Sequence, residues 1–269
     1  RTAIILESIK LSPIWELFEI YELRQPVRDI CDPEYSQMID DIGNGIGGEN
    51  ISLPLLKTTC DINDVIDFTF PKTILNNLDE CQKRAILCLL NSEVESINEI
   101  VLCKLKGDVI DLYSTDSLAD DSIARTNQTQ GNTVNVELLN SFNASGIPRH
   151  YLTLKRDIGR KLIIVRNPAT DSIVYLPRIT FLFRVPQFPF KISRRQFLLR
   201  LAYSSTFNSS QGLTLDRVAL DLRTPVFGHG QLYTALTRVR RQNDILIFTE
   251  ENRSSSLITK NIVFPELLE

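Results

Sequence analysis

The residues whose types and spacing best fit chemistry on a phosphate lie in Ala202–Arg240, AYSSTFNSSQGLTLDRVALDLRTPVFGHGQLYTALTRVR. Thr206, Asn208, Ser210, Gln211 and Gly212 are predicted to form a turn at the carboxyl end of a strand. Short hydroxyl and amide side chains there reach phosphate oxygens, and glycine lets the backbone approach them. A polar strand-to-helix turn satisfying its own cap is the plainer reading of any one of these residues. Downstream, a helix is predicted over Gly230–Arg240. Its residues Leu232, Ala235, Leu236 and Val239 recur at i, i+3, i+4 and i+7 and make one buried stripe. Gln231, Thr234 and Arg238 repeat on a different face, so a packed stripe would hold a rigid polar row ending in a guanidinium. Arginine suits a nucleotide phosphate because its planar fork matches the oxygens and its charge does not titrate. Taken alone, the row also fits a surface helix with a solvated arginine.

The elements that must position these residues are read from periodicity. Ser12-Pro13 starts a helix around Ser12–Phe18, followed by a short strand, Glu19–Leu23. Gly43, Gly45, Gly47 and Gly48 lack a following Gly-Lys-Ser/Thr, so they read as a turn with left-handed residues and not as a phosphate cradle. Arg84–Leu90 is a short buried strand. Asn91–Lys104 is an amphipathic helix with Val94, Ile97, Val101 and Leu102 at a 3.6-residue period. Asp120–Thr133 is a polar loop. The chain has no internal repeat and no low-complexity tract.

A chain of 269 residues has ample length for a packed core, and 43% hydrophobic with 23% charged residues is ordinary for a globular protein. No run of about 18 apolar residues is present, so no membrane partner is expected. The first residues lack the layout of a secretory signal. Five cysteines without a CxxC pair argue against a disulfide framework and for an intracellular, reducing compartment. Neither His150 nor His229 has metal-like neighbours, and no metal site is expected. The net charge of −3 conceals a segregation. Arg149–Arg241 holds 17 Lys and Arg against 4 Asp and Glu, a balance of +13, whereas residues 1–148 hold 11 against 24, a balance of −13. The basic segment suggests an anionic partner. Arg194 and Arg195 sit there among Phe181, Phe183, Phe188, Phe190 and Phe197, most of which are expected in the core, although exposed aromatic faces beside a basic groove stack bases.

The strings in Ala202–Arg240 resemble the last two motifs of the PIF-type (petite integration frequency) DNA helicases, RecD-like members of superfamily 1, of the kind encoded by Helitron transposons. The family pattern TINKSQGQT is similar to Thr206-Phe207-Asn208-Ser209-Ser210-Gln211-Gly212-Leu213-Thr214, and FSHGQLYVALSRV to Phe227–Val239. Leu23–Arg28 resembles the element L-x-x-N-M-R, Met38–Gly45 the loop LL-x-I-G-N-G, and Arg84–Leu90 the unit RAILAPTN, with Cys88-Leu89-Leu90 replacing Ala-Pro-Thr. Tyr113–Ser117 and Leu139–Lys155 also resemble family segments. Ser209 stands where the family has lysine and Leu213 where it has glutamine, two departures that weaken coupling.

The resemblance implies an α/β fold: a RecA-like parallel sheet flanked by helices, the second lobe of a motor, with a shortened β insertion. It divides the chain into the tail of a first RecA-like lobe (1–28), the first part of the second lobe (29–157), a reduced β insertion (158–183) and the last part with the final two motifs (184–269). It implies an ATP-dependent DNA helicase, in nuclear DNA repair, recombination or telomere maintenance, that translocates on single-stranded DNA and unwinds duplex. Arg238 and Arg28 then become transition-state arginines; Gln211, Gly212 and Gln231 nucleotide-binding residues; and Thr206, Asn208, Ser210, His229, Arg194 and Arg195 contacts to nucleic acid. ATP and Mg2+ would be the cofactors, but no GxxxxGK[ST] loop occurs in this sequence. A first lobe is therefore an expected partner, and the chain alone is expected to be inactive. The competing reading is a decayed, transposon-derived nucleic-acid-binding remnant.

Overall fold

The computed structural model describes residues 8–19, 21, 31–75, 77–105, 107–119, 135–144, 146–155, 162–166, 173–186, 188, 190–250 and 257–268. Two compact units emerge: Arg1–Val101 with Ala202–Glu269, and Leu102–Leu201.

In the first unit, five parallel strands pair in the order Ser204–Thr206, Arg84–Cys88, Arg217–Asp221, Ile245–Phe248, Lys57–Thr59. The expected α/β, RecA-like sheet is thus present. Ala85–Cys88, Val218–Asp221 and Ile245–Phe248 are buried throughout, as strands covered on both faces must be. Parallel pairing sends every connection across a face of the sheet; helices lie in most of these crossovers, and the 3-10 turn Asn208–Ser210 lies in the one from Ser204–Thr206 to Arg217–Asp221. Helix Ile62–Thr69 starts at Asp61, whose carboxylate accepts from Asn63 N, and buries Val65, Ile66 and Thr69. Helix Asn91–Lys104 follows the predicted boundaries and buries Val94, Ile97, Val101 and Leu102. Asn98 shares its buried side: its side-chain oxygen accepts from Ser204 N at 2.9 Å and its amide donates to Ser204 O at 3.4 Å. One side chain thereby occupies the open hydrogen-bonding side of the edge strand.

Helix Pro33–Gly43 has Asp32 as its cap and proline in its first turn, and it buries Tyr35, Ile39 and Ile42. Met38 lies within this helix and not in a loop after it; the left-handed turn begins later, with positive φ at Gly45, Gly47 and Gly48. Tyr35 Oη donates to Leu236 O at 2.8 Å, and Asp32 accepts from Gln242 N at 3.0 Å. The acidic helix is therefore fixed to the segment that carries Arg238.

Two sequence expectations in this unit are corrected. Ser12–Phe18 is not one helix; 3-10 turns occupy Ile9–Leu11 and Trp15–Leu17. Ile14, Leu17 and Phe18 are exposed, and a helix this short lacks the packing that would stabilise it. The helix predicted over Gly230–Arg240 runs only over Gln231–Leu236. Thr237 Oγ1 and Arg238 Nε both donate to Thr234 O, at 3.0 and 2.7 Å, displacing the backbone N–H that would continue the helix. The strand expected at Glu19–Leu23 falls largely outside the described residues, as do Arg28 and the Asp120–Thr133 loop.

The second unit is a β structure that extends well beyond residues 158–183. Strands Thr115–Leu118, Lys191–Phe197, Ile173–Arg184 and Leu162–Arg166 pair antiparallel in that order, and Val109–Tyr113 pairs with Tyr151–Lys155. The long strand Ile173–Arg184 pairs with Lys191–Phe197, which pairs in turn with Thr115–Leu118, so both strands join this unit from outside residues 158–183. Phe183, Phe190 and Ile192 pack with Leu139, while Phe197 packs with Leu112 and Ile163.

Arg194 corrects a further expectation. Expected on a nucleic-acid surface, it is fully buried, and its guanidinium grips Asp116 at 2.7 to 3.1 Å. It also donates to Leu139 O and Pro148 O and lies over the Phe183 ring. The pair ties the Leu139–Pro148 segment to the sheet. Asp116→Ala leaves this guanidinium buried without its counterion and is expected to destabilise the protein by about 3–5 kcal/mol. A urea titration followed by circular dichroism measures this; an unmoved midpoint would show that the pair is not a determinant of the fold.

Candidate functional site

Because the five strands are parallel, their carboxyl ends share one edge, where α/β sheets bind ligands. Thr206 ends its strand there, and the chain turns through the 3-10 segment Asn208–Ser210. Thr206 Oγ1 meets Ser209 Oγ at 2.7 Å and accepts from Ser209 N at 3.3 Å. Asn208, Gln211 and Gly212 are exposed, and Gly212 has φ +88°, a conformation that glycine alone adopts without strain. Ser210 departs from its expected role as a nucleic-acid contact. It is fully buried and its hydroxyl donates to Phe207 O at 2.7 Å, so it shapes the turn from within.

Arg238 lies beneath this turn, 7% exposed. Nη1 donates to Ser210 O at 3.2 Å and Leu213 O at 3.1 Å, Nη2 to Thr237 Oγ1 at 2.7 Å, and Nε to Thr234 O at 2.7 Å. Its own carbonyl accepts from Leu215 N at 2.8 Å. The polar row expected of Gln231, Thr234 and Arg238 does not form as one face, since Gln231 and Arg238 are both buried, and the alternative of a solvated arginine fails with it. The structure instead joins Arg238 to the turn holding Thr206, Asn208, Ser210, Gln211 and Gly212.

Gln231 is also buried and directed away from that cluster. Its side-chain oxygen accepts from Phe227 N at 3.0 Å and Gly228 N at 2.9 Å, bracing the loop before its helix. His229 Nδ1 accepts from Phe264 N at 3.0 Å, and its ring stacks on Phe264 at 5.3 Å. Both placements use these side chains to fix backbone, a role that composition and periodicity do not reveal.

Sequence reasoning overlooked other groups on the carboxyl edge. Glu93 accepts from Leu89 N and Leu90 N at the start of its helix and from Thr224 Oγ1 at 2.6 Å. Arg223 forms a two-point pair with Asp221 at 2.9 and 2.6 Å and lies 4.3 Å over the Phe248 ring. Hydrogen bonding to Asp221 raises the Arg223 pKa further. The string Asp221-Leu222-Arg223 at a strand end was the available signal. Burial pushes the Cys88 thiol up to about 12, so the cysteine at this edge is no nucleophile. Among the described residues, no group of three or more His, Cys, Asp or Glu side chains is placed to hold a metal ion.

In the second unit, Arg195 is exposed on a basic sheet face. Cross-strand pairing sets Arg184 beside Lys191, Leu182 beside Ser193 and Ser117, and Thr180 beside Arg195 and Thr115. No carboxylate occurs in these rows, because Asp116 faces the other way onto Arg194.

No family model matches the chain. Over 206 residues it is 28% identical to the ATP-dependent DNA helicase PIF1 of Danio rerio, covering 65% of this chain and 31% of that protein. The chain is similar to PIF1-type superfamily 1 helicases over about two thirds of its length. The fold agrees: a Pif1 helicase from Bacteroides in complex with ADP-AlF3 and ssDNA superposes with a TM-score of 0.52 at 22% identity, over 93% of this chain and 55% of that one. A shorter match, 47% identical over 53 residues, joins 20% of the chain to 10% of the uncharacterized protein 030L of Invertebrate iridescent virus 6. The chain spans less than half the length of these curated relatives. Among its described residues, no helix is long and apolar enough to cross a membrane.

Burial lowers the His229 pKa, and the neutral ring is the form that accepts from Phe264 N. A lowered folded value means that the unfolded chain binds the proton more readily. The stabilisation is therefore present above the ordinary value of about 6.5 and lost as pH falls through the folded one. Burial shifts His150 the same way. Thermal melts between pH 7 and pH 5 should show falling stability. His229→Phe should lower stability at pH 7 and flatten that slope, with His150 supplying the remainder; an unchanged slope would refute the assignment.

Proposed function

We propose that this chain supplies the second RecA-like lobe of an ATP-dependent DNA helicase that translocates on single-stranded DNA, together with a first lobe that holds the nucleotide phosphates and Mg2+. The observation that carries this reading is the bonding of Arg238 to both the Thr206–Gly212 turn and the helix Gln231–Leu236. Thr206, Asn208 and Gln211 offer hydroxyl and amide groups to a strand of phosphates, and Gly212 lets the backbone approach. A shift of that turn moves the carbonyls of Ser210 and Leu213, and through them the guanidinium and the end of the helix. In this scheme Arg238 exchanges those carbonyls for phosphate oxygens when a first lobe closes on the nucleotide. Arg195, Arg184 and Lys191 add a sequence-independent electrostatic contact to the DNA backbone. Among the described residues no group of acids is placed to hold Mg2+, so no step is assigned to the metal here. The Bacteroides relative was solved with both ADP-AlF3 and ssDNA, the two ligand classes this reading requires.

The purified chain is expected to bind single-stranded DNA without sequence preference, with log affinity falling linearly in log salt. A flat salt response in fluorescence anisotropy would remove the backbone-contact reading. The chain alone should release no phosphate from ATP. Fused behind the first lobe of a related helicase it should do so, and Arg238→Lys in that fusion should cut turnover by about 10³-fold or more while DNA binding persists. Lysine keeps the charge but cannot reach several acceptors at once. Near-normal turnover of the lysine form would reduce Arg238 to a structural arginine.

A further inference from the structure

The antiparallel strand pair of Val109–Tyr113 and Tyr151–Lys155 in the second unit carries a feature that the helicase reading leaves unused. Tyr113 and Tyr151 are directly opposed across the two strands, with ring centroids 6.5 Å apart and planes inclined by 30°. Both are open to solvent, Tyr113 at 58% and Tyr151 at 42%. A third ring, His150, lies 5.8 Å from Tyr113. It is held by Ser114 Oγ at 2.8 Å and, with its pKa lowered by burial, stays neutral. Paired tyrosines in a core would serve packing; an exposed pair gains little by folding and presents faces for another flat ring.

Cations surround these rings. Arg178 donates to Tyr113 O and lies 4.8 Å over the Phe197 ring. Arg149 and Arg200 are exposed and close enough that, after burial, the charge of Arg200 is the next cause lowering the Arg149 pKa. At the middle of the two strands, Asp111 accepts from Thr153 Oγ1 at 2.7 Å. Flat apolar faces bordered by like positive charges match a chain of bases joined by phosphates.

We propose that Tyr113 and Tyr151 form a base-stacking platform for single-stranded nucleic acid, with Arg149 and Arg200 receiving the adjoining phosphates. This deepens the helicase reading and rests on it: the platform is a second contact, made to bases, beside the backbone contacts already described. Its recognition is independent of sequence, since every base has a π face.

The test uses the full chain with a fluorescein-labelled oligothymidylate and an abasic oligonucleotide of equal length, read by fluorescence anisotropy. Tyr113→Leu and Tyr151→Leu should each weaken oligothymidylate binding by about 5- to 100-fold and leave the abasic affinity unchanged. Phenylalanine at either position should retain binding. Arg149→Ala and Arg200→Ala should weaken both oligonucleotides. Circular dichroism of the leucine variants checks that these exposed replacements leave the fold intact. If both oligonucleotides bind but the leucine variants match the parent, the platform is wrong and the helicase reading stands. Equal affinity of the parent for the abasic strand and oligothymidylate also overturns the platform. If the parent binds neither, the helicase reading falls and the platform falls with it.

Discussion

The guanidinium of Arg238 is the interaction on which the candidate site depends. A buried arginine is costly unless acceptors surround it, and here the carbonyls of Ser210, Leu213 and Thr234 do so. Each carbonyl belongs to backbone that would otherwise need another donor. The charge thereby converts a loop and a helix end into one object. It also stops the helix at Leu236, since Thr234 O cannot serve both side-chain donors and the next backbone N–H. The helix Pro33–Gly43 then fixes that object from the other side through Tyr35 and Asp32.

Arg194 does comparable work in the second unit with a different kind of partner. Its charge is matched by a carboxylate, and the remaining donors close on carbonyls of the Leu139–Pro148 segment. His150 approaches Asp116 to 3.7 Å, yet this is no ion pair. Burial keeps the ring neutral, and Asp116 already has Arg194. Ser114 donates to Asp116, so its oxygen is left to accept from His150 Nδ1. Two arginines counted in the basic half are therefore interior groups. The field available to an anionic partner comes from those that remain outside, such as Arg195, Arg184, Lys191, Arg149 and Arg200.

Some of this was legible before any coordinates. The stripe of Leu232, Ala235, Leu236 and Val239 is buried, as are Ala85–Cys88 and the apolar face of Asn91–Lys104. The motif strings led to the PIF1 helicases that the chain resembles and to the parallel sheet. The orientation of polar side chains was not legible. Gln231, Ser210 and Arg194 were read outward because polar residues usually face water, and all three turned inward: Ser210 and Gln231 onto backbone groups three or four residues away, Arg194 onto a carboxylate and carbonyls of distant segments. Asn98 is the same case, paired with Ser204 more than 100 residues away.

Sequence alone determined the things that depend on local order: which segments repeat at helical or strand period, where glycine must take positive φ, and which motif strings the chain shares with relatives. These follow from steric limits and from hydrophobic spacing along one stretch of chain. Tertiary structure decided the partners of the charged and hydroxyl groups, the reach of the β unit to Leu102–Leu201, and the pairing of Tyr113 with Tyr151. The physical reason is that a hydrogen bond or ion pair is specified by the group across the contact. For Arg194 that group is Asp116, 78 residues earlier, and only the fold brings the two to 2.7 Å.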